Sequence, residues 1–350
     1  MKIWAIDKYN LYIMKEYTDY PILKYNTFGM DVKASRFVEY SSVGELKSFL
    51  ASRDVASPLL HIGGGSNLLF LSDFKGTILH SAIKGFSIED ESDEWIDIKA
   101  GAGEVWDDFV AYTVSEGWYG AENLSIIPGE VGASAVQNIG AYGVEAKDII
   151  LKVHTVSVSD ASERVFTNEE CRYSYRNSIF KEELKGKYIV THVTYRLSKK
   201  AEYHLSYGNI SAELERRGLE PSLENVRNVI IDVRRSKLPE PSELGNAGSF
   251  FMNPMVSAQK FIQLQEEYPD MPHYPVDENT VKVPAGWMID RCGWKGRNIG
   301  PAGVYQRQAL VLVNLGGATG NDISNLANEI IKSVKDKFGI DIHPEVNYIY

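Results

Sequence analysis

Apolar positions along this chain fall into short periodic runs separated by glycine, proline and polar clusters. Ser42-Val43-Gly44-Glu45 has the spacing in which an N-cap serine and a glutamate three residues on satisfy the first amides of a helix, and Leu46, Phe49 and Leu50 continue it. That helix lies between the apolar pair Phe37-Val38 and the strand-like run Leu59 to Ile62, an order that predicts a βαβ unit. Gly76 to His80 and Trp95 to Lys99 predict further strands. Glu104 to Ser115 predicts a helix with Trp106, Phe109, Val110 and Thr113 on its inner side. Alternation over Lys152 to Val158 and Tyr188 to Leu197 predicts two half-buried strands. Ser222 to Lys237 reads as an amphipathic helix through Val226, Val229, Ile230 and Val233, stopped at Leu238-Pro239-Glu240-Pro241. A last, long helix after Asn321 sets Ile323, Leu326, Ile330, Val334 and Phe338 on one face.

From Leu124 to Gly143 the periodicity fails. Gly129, Gly132, Gly140 and Gly143 interrupt LSIIPGEVGASAVQNIGAYG, Glu130 is its only charge, and the stretch reads as an irregular, compact path. An earlier turn, Gly63-Gly64-Gly65-Ser66-Asn67, follows Leu59 to Ile62. Small residues allow close backbone approach, and their amides need partners. Together the two segments suggest backbone surfaces moulded around one extended ligand, a dinucleotide. No GxGxxG joins a strand to a long helix, so a simple Rossmann fold is not expected. The predicted class is α+β, with an N-terminal ligand-binding half and a smaller C-terminal half.

With 350 residues, 44% of them hydrophobic, the chain has room for two or three domains. No apolar run approaches the roughly 18–20 residues of a membrane span. The first residues, MKIWAIDKYNLYIMKEY, lack the basic-then-apolar order of a secretory signal, so a cytoplasmic location is expected. A net charge of −10 argues against a nucleic-acid surface but leaves phosphate ligands open. Cys171 and Cys292 have no CxxC spacing and the histidines are scattered, so no metal site is expected.

Five places carry candidate chemistry. Ser249, in Gly245-Asn246-Ala247-Gly248-Ser249-Phe250-Phe251, is either a hydroxyl presented in a tight, partly dry site or an ordinary turn entering a buried strand. Arg176, within Tyr173-Ser174-Tyr175-Arg176-Asn177-Ser178, either grips a carboxylate or stacks on tyrosines at the surface. Glu345 stands where the last strand is expected to begin, a position at which most glutamates are solvated. Arg234, Arg235 and Lys237 offer either helix-end cations or a diphosphate clamp. Tyr207-Gly208-Asn209 is either a mobile lid or a turn before the following helix.

These pieces in this order resemble the UDP-N-acetylenolpyruvoylglucosamine reductase family of peptidoglycan precursor synthesis, from Tyr25-Asn26-Thr27-Phe28-Gly29 to Glu345. The resemblance implies a flavoprotein of vanillyl-alcohol-oxidase type: FAD-binding subdomains over 1–85 and 86–236, then a substrate-binding domain over 237–350. It implies that FAD is held at Gly63, Gly64, Gly65, Ser66 and Asn67, and by Pro128, Gly129, Gly132, Gln137, Asn138, Gly140, Ala141, Tyr142 and Gly143. NADPH would supply electrons, and UDP-N-acetylglucosamine enolpyruvate would accept them, in a monomer. Arg176 and Glu345 would stabilise an enolic intermediate, with Glu345 protonated, and Ser249 would protonate C2. Lys237, Asn253 and Gln308 are implied on the UDP side. Tyr207 matches the loop of one family subtype. A flavin-dependent oxidase of the same fold, or a silent FAD or UDP-sugar binder, are the alternatives. Glu130 and Ala135 depart from the family's usual uncharged residue and proline, and Glu130 is expected to face solvent or pair with a cation. Residues 1–13 precede the family-like start at Met14 and read as an extension.

Overall fold

The computed structural model describes residues 14–52 and 57–350, so the expected extension over 1–13 lies outside the described residues. The chain divides into two units. The first takes the chain up to Tyr20, then Lys33–Gly64 and Lys75–Arg234; the second takes Pro21–Val32, Gly65–Phe74 and Arg235–Tyr350.

In the first unit, four strands form one sheet in the order Lys15–Pro21, Lys33–Tyr40, Phe74–Ser81, Leu59–Ile62. The expected strand–helix–strand order is present, but its two strands are not neighbours. They share the sheet, with Val43–Ala51 as the intervening helix, but Phe74–Ser81 stands between them and pairs parallel to Leu59–Ile62. Ser42 Oγ caps the helix by accepting from the Glu45 amide at 3.1 Å. The Glu45 carboxylate reaches one residue further back than a capping box would, to the Ser41 amide at 2.6 Å.

A second sheet of this unit is antiparallel throughout, with Tyr188–Ser198 between Ile150–Ser157 and Trp95–Gly101. Tyr188–Ser198 was expected to be half buried and is buried along nearly its whole length. Val190, Val193, Tyr195 and Leu197 pack with Trp106, Phe109 and Val110 of the helix Trp106–Ser115, whereas Ile189 joins Val156, Leu46 and Phe49 in a separate core. Cover on both faces removes the solvent side that alternation implies. Val226, Val229 and Ile230 of the helix Leu223–Lys237 pack on Ile210 and Leu214.

The second unit packs a four-stranded sheet (Gly245–Ser249, Val311–Asn314, Ala302–Val304, Asn298–Ile299) with the helix Gly320–Phe338. That helix buries the five expected residues, opens on a Thr319–Asp322 capping box and ends on left-handed Gly339. Its core also takes Phe28, Met30 and Leu69 from the early part of the chain. Asn347–Ile349 runs parallel to Leu68–Phe70. At Gly320 a Cβ would stand 2.0 Å from the Phe70 carbonyl oxygen, so glycine permits the helix start to approach that strand.

Candidate functional site

In the first unit the turn Gly63-Gly64 meets the Pro128–Gly132 stretch at backbone distance. A Cβ on Gly64 would stand 3.8 Å from Gly129 Cα, and one on Gly132 would stand 2.9 Å from Ala102 Cβ. Val131 and Gly132 donate their amides to the carbonyls of Glu104 and Ala102 at 2.9 Å each, which fixes the stretch along the 102–104 backbone. The segment read as irregular contains a helix, Val131–Gln137, and small residues explain both the misreading and the fold. Gly132, Ser134 and Ala135 are weak periodic signals, yet their size lets the helix lie close against its neighbours.

Asn138 ends that helix in a left-handed conformation, φ 48°. Its amide is fully buried, donating to the Ser174 carbonyl at 2.8 Å and accepting from the Lys147 amide at 3.0 Å. Arg176 also has positive φ, 54°, an uncommon state for a long side chain that this turn holds in place. Its Nη2 donates to the Gly140 carbonyl at 2.6 Å, and the guanidinium lies over the Tyr175 ring at 5.2 Å. Gly140 leaves the room for this, because a Cβ there would be 2.7 Å from Arg176 Nη1. Arg176, Asn138 and Gly140 are thus one cluster.

Tyr142-Gly143 and Tyr207-Gly208 form another. A Cβ on Gly143 would stand 3.2 Å from Tyr207 Cβ, and one on Gly208 would be 2.6 Å from Tyr142 Cδ1. Asn123, which sequence reasoning missed, fastens both segments by donating to the carbonyls of Tyr142 at 2.9 Å and His204 at 2.8 Å. Tyr207 itself is 44% exposed and leads into the helix Ile210–Arg217. Arg227 and Asp107 were missed too. They form a two-pronged ion pair at 2.8 and 2.9 Å, and Asp107 also accepts from the Ile126 amide at 2.6 Å. Burial pushes the Asp107 carboxyl up, but Arg227 and that amide outweigh it and hold the group below the usual carboxylate range.

Of the two alternatives expected for Glu130, facing solvent or pairing with a cation, the first does not hold, and a histidine is its polar partner. Its carboxylate is turned onto Gly63, with Oε2 3.1 Å from where a Cβ would stand there. Oε1 meets His80 Nε2 at 3.0 Å, while His80 Nδ1 meets Glu39 Oε2 at 3.2 Å.

In the second unit Gly65 begins a cradle of its own. Thr27 donates its amide to the Gly65 carbonyl at 3.2 Å, and Asn67 Nδ2 donates to the Glu345 carbonyl at 3.3 Å. Ser249 ends the strand Gly245–Ser249 past an irregular pairing with Val311, and it is exposed rather than enclosed in dry surroundings. Phe250 and Phe251 beyond it are buried. Phe250 accepts from the Glu345 amide at 2.8 Å, so Ser249 and Glu345 are brought side by side by backbone pairing. Glu345 precedes the last strand, which begins at Asn347. Asn253 Oδ1 accepts from the Ala285 amide at 2.9 Å, and Gln308 Oε1 lies 3.2 Å from a Cβ on Gly286, so both gather at the start of the helix Ala285–Arg291. Lys237 is exposed at the end of Leu223–Lys237.

Residues 34–165 match the family description of an FAD binding domain, and residues 240–349 match that of the UDP-N-acetylenolpyruvoylglucosamine reductase C-terminal domain. The UDP-N-acetylenolpyruvoylglucosamine reductase of Bacteroides fragilis is 57% identical over 94% of this chain and 99% of its own length. The Porphyromonas gingivalis enzyme of the same name is 49% identical over 95% of this chain and 98% of its own. Among solved structures, the Thermus caldophilus reductase covers 97% of this chain and is itself wholly covered, with a TM-score of 0.65 at 22% identity, a likeness of fold.

Proposed function

The chain belongs to the UDP-N-acetylenolpyruvoylglucosamine reductase family, and on that premise we propose that it uses NADPH to reduce UDP-N-acetylglucosamine enolpyruvate to UDP-N-acetylmuramate in peptidoglycan precursor synthesis. The first unit fits FAD. Gly64 lets its turn come close to the backbone at Gly129, and Gly63, Gly64 and the 128–143 segment would hold the cofactor. When bound, FAD supplies a two-electron store that NADPH fills and the enolpyruvyl group empties.

Hydride arrival at C3 of the enolpyruvyl group leaves an electron pair at C2, spread into the adjoining carboxylate. Arg176 offsets that charge, and Glu345, in its protonated form, donates a hydrogen bond to it. The Ser249 hydroxyl gives its proton to C2, and solvent restores it. A hydroxyl is a weak acid in water, so its contribution depends on placement. What supports these roles is the 2.8 Å bond from the Glu345 amide to the Phe250 carbonyl, which brings the backbone of Glu345 to the residue that follows Ser249. On the substrate side Lys237 meets the diphosphate, and Asn253 and Gln308 complete that pocket. No helix among the described residues is long and apolar enough to cross a membrane, and a cytoplasmic monomer completes the proposal.

An anaerobic spectrum tests the whole reading. Limiting NADPH should bleach the flavin, and enolpyruvyl substrate should restore it. Bleaching without return would overturn the acceptor and favour an oxidase; a bound flavin that NADPH cannot bleach would favour a silent binder.

We propose further that Tyr207 belongs to the tyrosine loop of one family subtype and closes over the uridine nucleotide. Stacking of one aromatic ring on a base contributes about 1–3 kcal/mol, so Tyr207→Ala should weaken UDP-sugar binding about ten- to a hundred-fold. Titration calorimetry on the oxidised enzyme reads this, and unchanged affinity would remove the closing role.

A further inference from the structure

Glu130 is the only charged side chain between Leu124 and Gly143, and it lies within the proposed cofactor cradle. Only 13% of the side chain is exposed. A run of polar contacts from three strands ends at it: Lys15 Nζ to Glu39 Oε1 at 2.7 Å, Glu39 Oε2 to His80 Nδ1 at 3.2 Å, His80 Nε2 to Glu130 Oε1 at 3.0 Å. Phe37 stacks on the His80 ring, 6.2 Å between centroids. A carboxylate can only accept, so both contacts of the ring become hydrogen bonds to ionised glutamates when each ring nitrogen carries a proton. His61 lies behind His80, is hydrogen-bonded to Tyr40 at 2.8 Å, and is held neutral, its imidazole pushed down to about 3 by burial and then by His80.

This bracing fixes one oxygen of Glu130 and leaves the other over the glycine turn. Among the described residues Oε2 has no protein donor, and it stands 3.1 Å from the Cβ position of Gly63. An ionised oxygen there repels a phosphate and attracts a hydroxyl. The sugar portions of a flavin dinucleotide carry such hydroxyls on either side of the diphosphate, and acid-to-hydroxyl contacts are a common way of holding a dinucleotide.

We infer that Glu130 contacts the cofactor, its Oε2 accepting a hydrogen bond from a sugar hydroxyl of the dinucleotide, with His80 and Glu39 as positioning residues. The inference rests on the reading that Gly63, Gly64 and the 128–143 segment hold FAD. Glu130 occupies the N-cap position of Val131–Gln137 without making a side-chain cap bond, so its truncation removes no cap.

The test is FAD titration of the full-length apoprotein by fluorescence quenching, with thermal unfolding of each variant as the folding control. Glu130→Ala should raise the FAD Kd about ten- to a hundred-fold, as loss of a charge-assisted hydrogen bond does. Glu130→Gln, which keeps an acceptor oxygen but not its charge, should recover part of that loss. His80→Gln should weaken FAD in the parent but add nothing in the Glu130→Ala background, whereas a merely structural role would add in both. Repeating the titration with FMN, which has the ribityl hydroxyls but not the adenosine ribose, assigns the hydroxyl: an equal loss points to the ribityl chain, none to the ribose. Unchanged FAD affinity in Glu130→Ala overturns the inference. So does tighter binding, which would mark the carboxylate as a repeller of the diphosphate. A parent protein that binds no FAD would remove the cofactor reading itself.

Discussion

Ser249→Ala leaves bleaching of the flavin by NADPH within about two-fold of the parent, while return of the oxidised spectrum on adding enolpyruvyl substrate slows about 10²–10⁴-fold, the usual worth of a positioned proton donor. The split arises because the hydroxyl is needed only where a proton must reach C2. Folding should barely register the change. Ser249 is exposed at the end of its strand, and the aromatic packing behind it belongs to Phe250 and Phe251, so stability should stay within about 0.5 kcal/mol. The pairing irregularity between Asn246 and Ser249, with left-handed Gly248 inside it, is the device that sets the serine outward while its neighbour points into the core. Stopped-flow absorbance of the two half-reactions decides the matter. Equal slowing of both would take the proton transfer away from Ser249.

Gly65→Ala should be the most damaging single-methyl change in the second unit. The added Cβ would stand 1.8 Å from the Tyr25 carbonyl oxygen, 2.5 Å from the Tyr25 carbonyl carbon and 2.9 Å from Asn26 Cα, all of them backbone. That backbone cannot yield easily. The buried Asn26 side chain donates to the carbonyls of Ile22 and Met30 and accepts from the Met30 amide at 2.7 Å. Positive φ at Gly65, +67°, adds strain for any L side chain. The expected loss exceeds about 4 kcal/mol, in the range reserved for severe clashes. Gly117→Ala separates the two causes. Its φ is +78° but nothing lies within 4 Å of its Cβ, so it should lose only about 1–2 kcal/mol. Urea unfolding of both variants compares them, and similar losses would show that the 22–30 loop relaxes.

Much of this fold is legible in the sequence because burial is periodic. The helix Gly320–Phe338 buries Ile323, Leu326, Ile330, Val334 and Phe338, and Trp106–Ser115 buries Trp106, Phe109, Val110 and Thr113, the residues their spacing selects. Strand order is not written that way. Nothing local places Phe74–Ser81 between the two strands flanking Val43–Ala51, since pairing is settled by contacts remote in sequence. The glycine turns announce themselves, but the groups that hold them do not. Asn123 clamps two loops through carbonyls, Arg227 finds Asp107 from 120 positions away, and Glu130 finds His80 from 50. A helix with glycine, alanine and serine at its centre, such as Val131–Gln137, escapes periodic reading because small side chains carry almost no hydrophobic contrast.

The pairing of Asn67 with Glu345 and of Leu68–Phe70 with Asn347–Ile349 also has a meaning in time. Asn67 and Glu345 are 278 positions apart, and at a synthesis rate of ~5–20 residues per second that gap lasts roughly 14–56 s. For most of that interval, until Ala247 and the core residues after it are made, the nascent chain carries Phe28, Met30 and Leu69 without the residues that later bury them. On the ribosome the second unit's core is closed by the newest residues around the oldest, and until then those early apolar residues are what a chaperone would find.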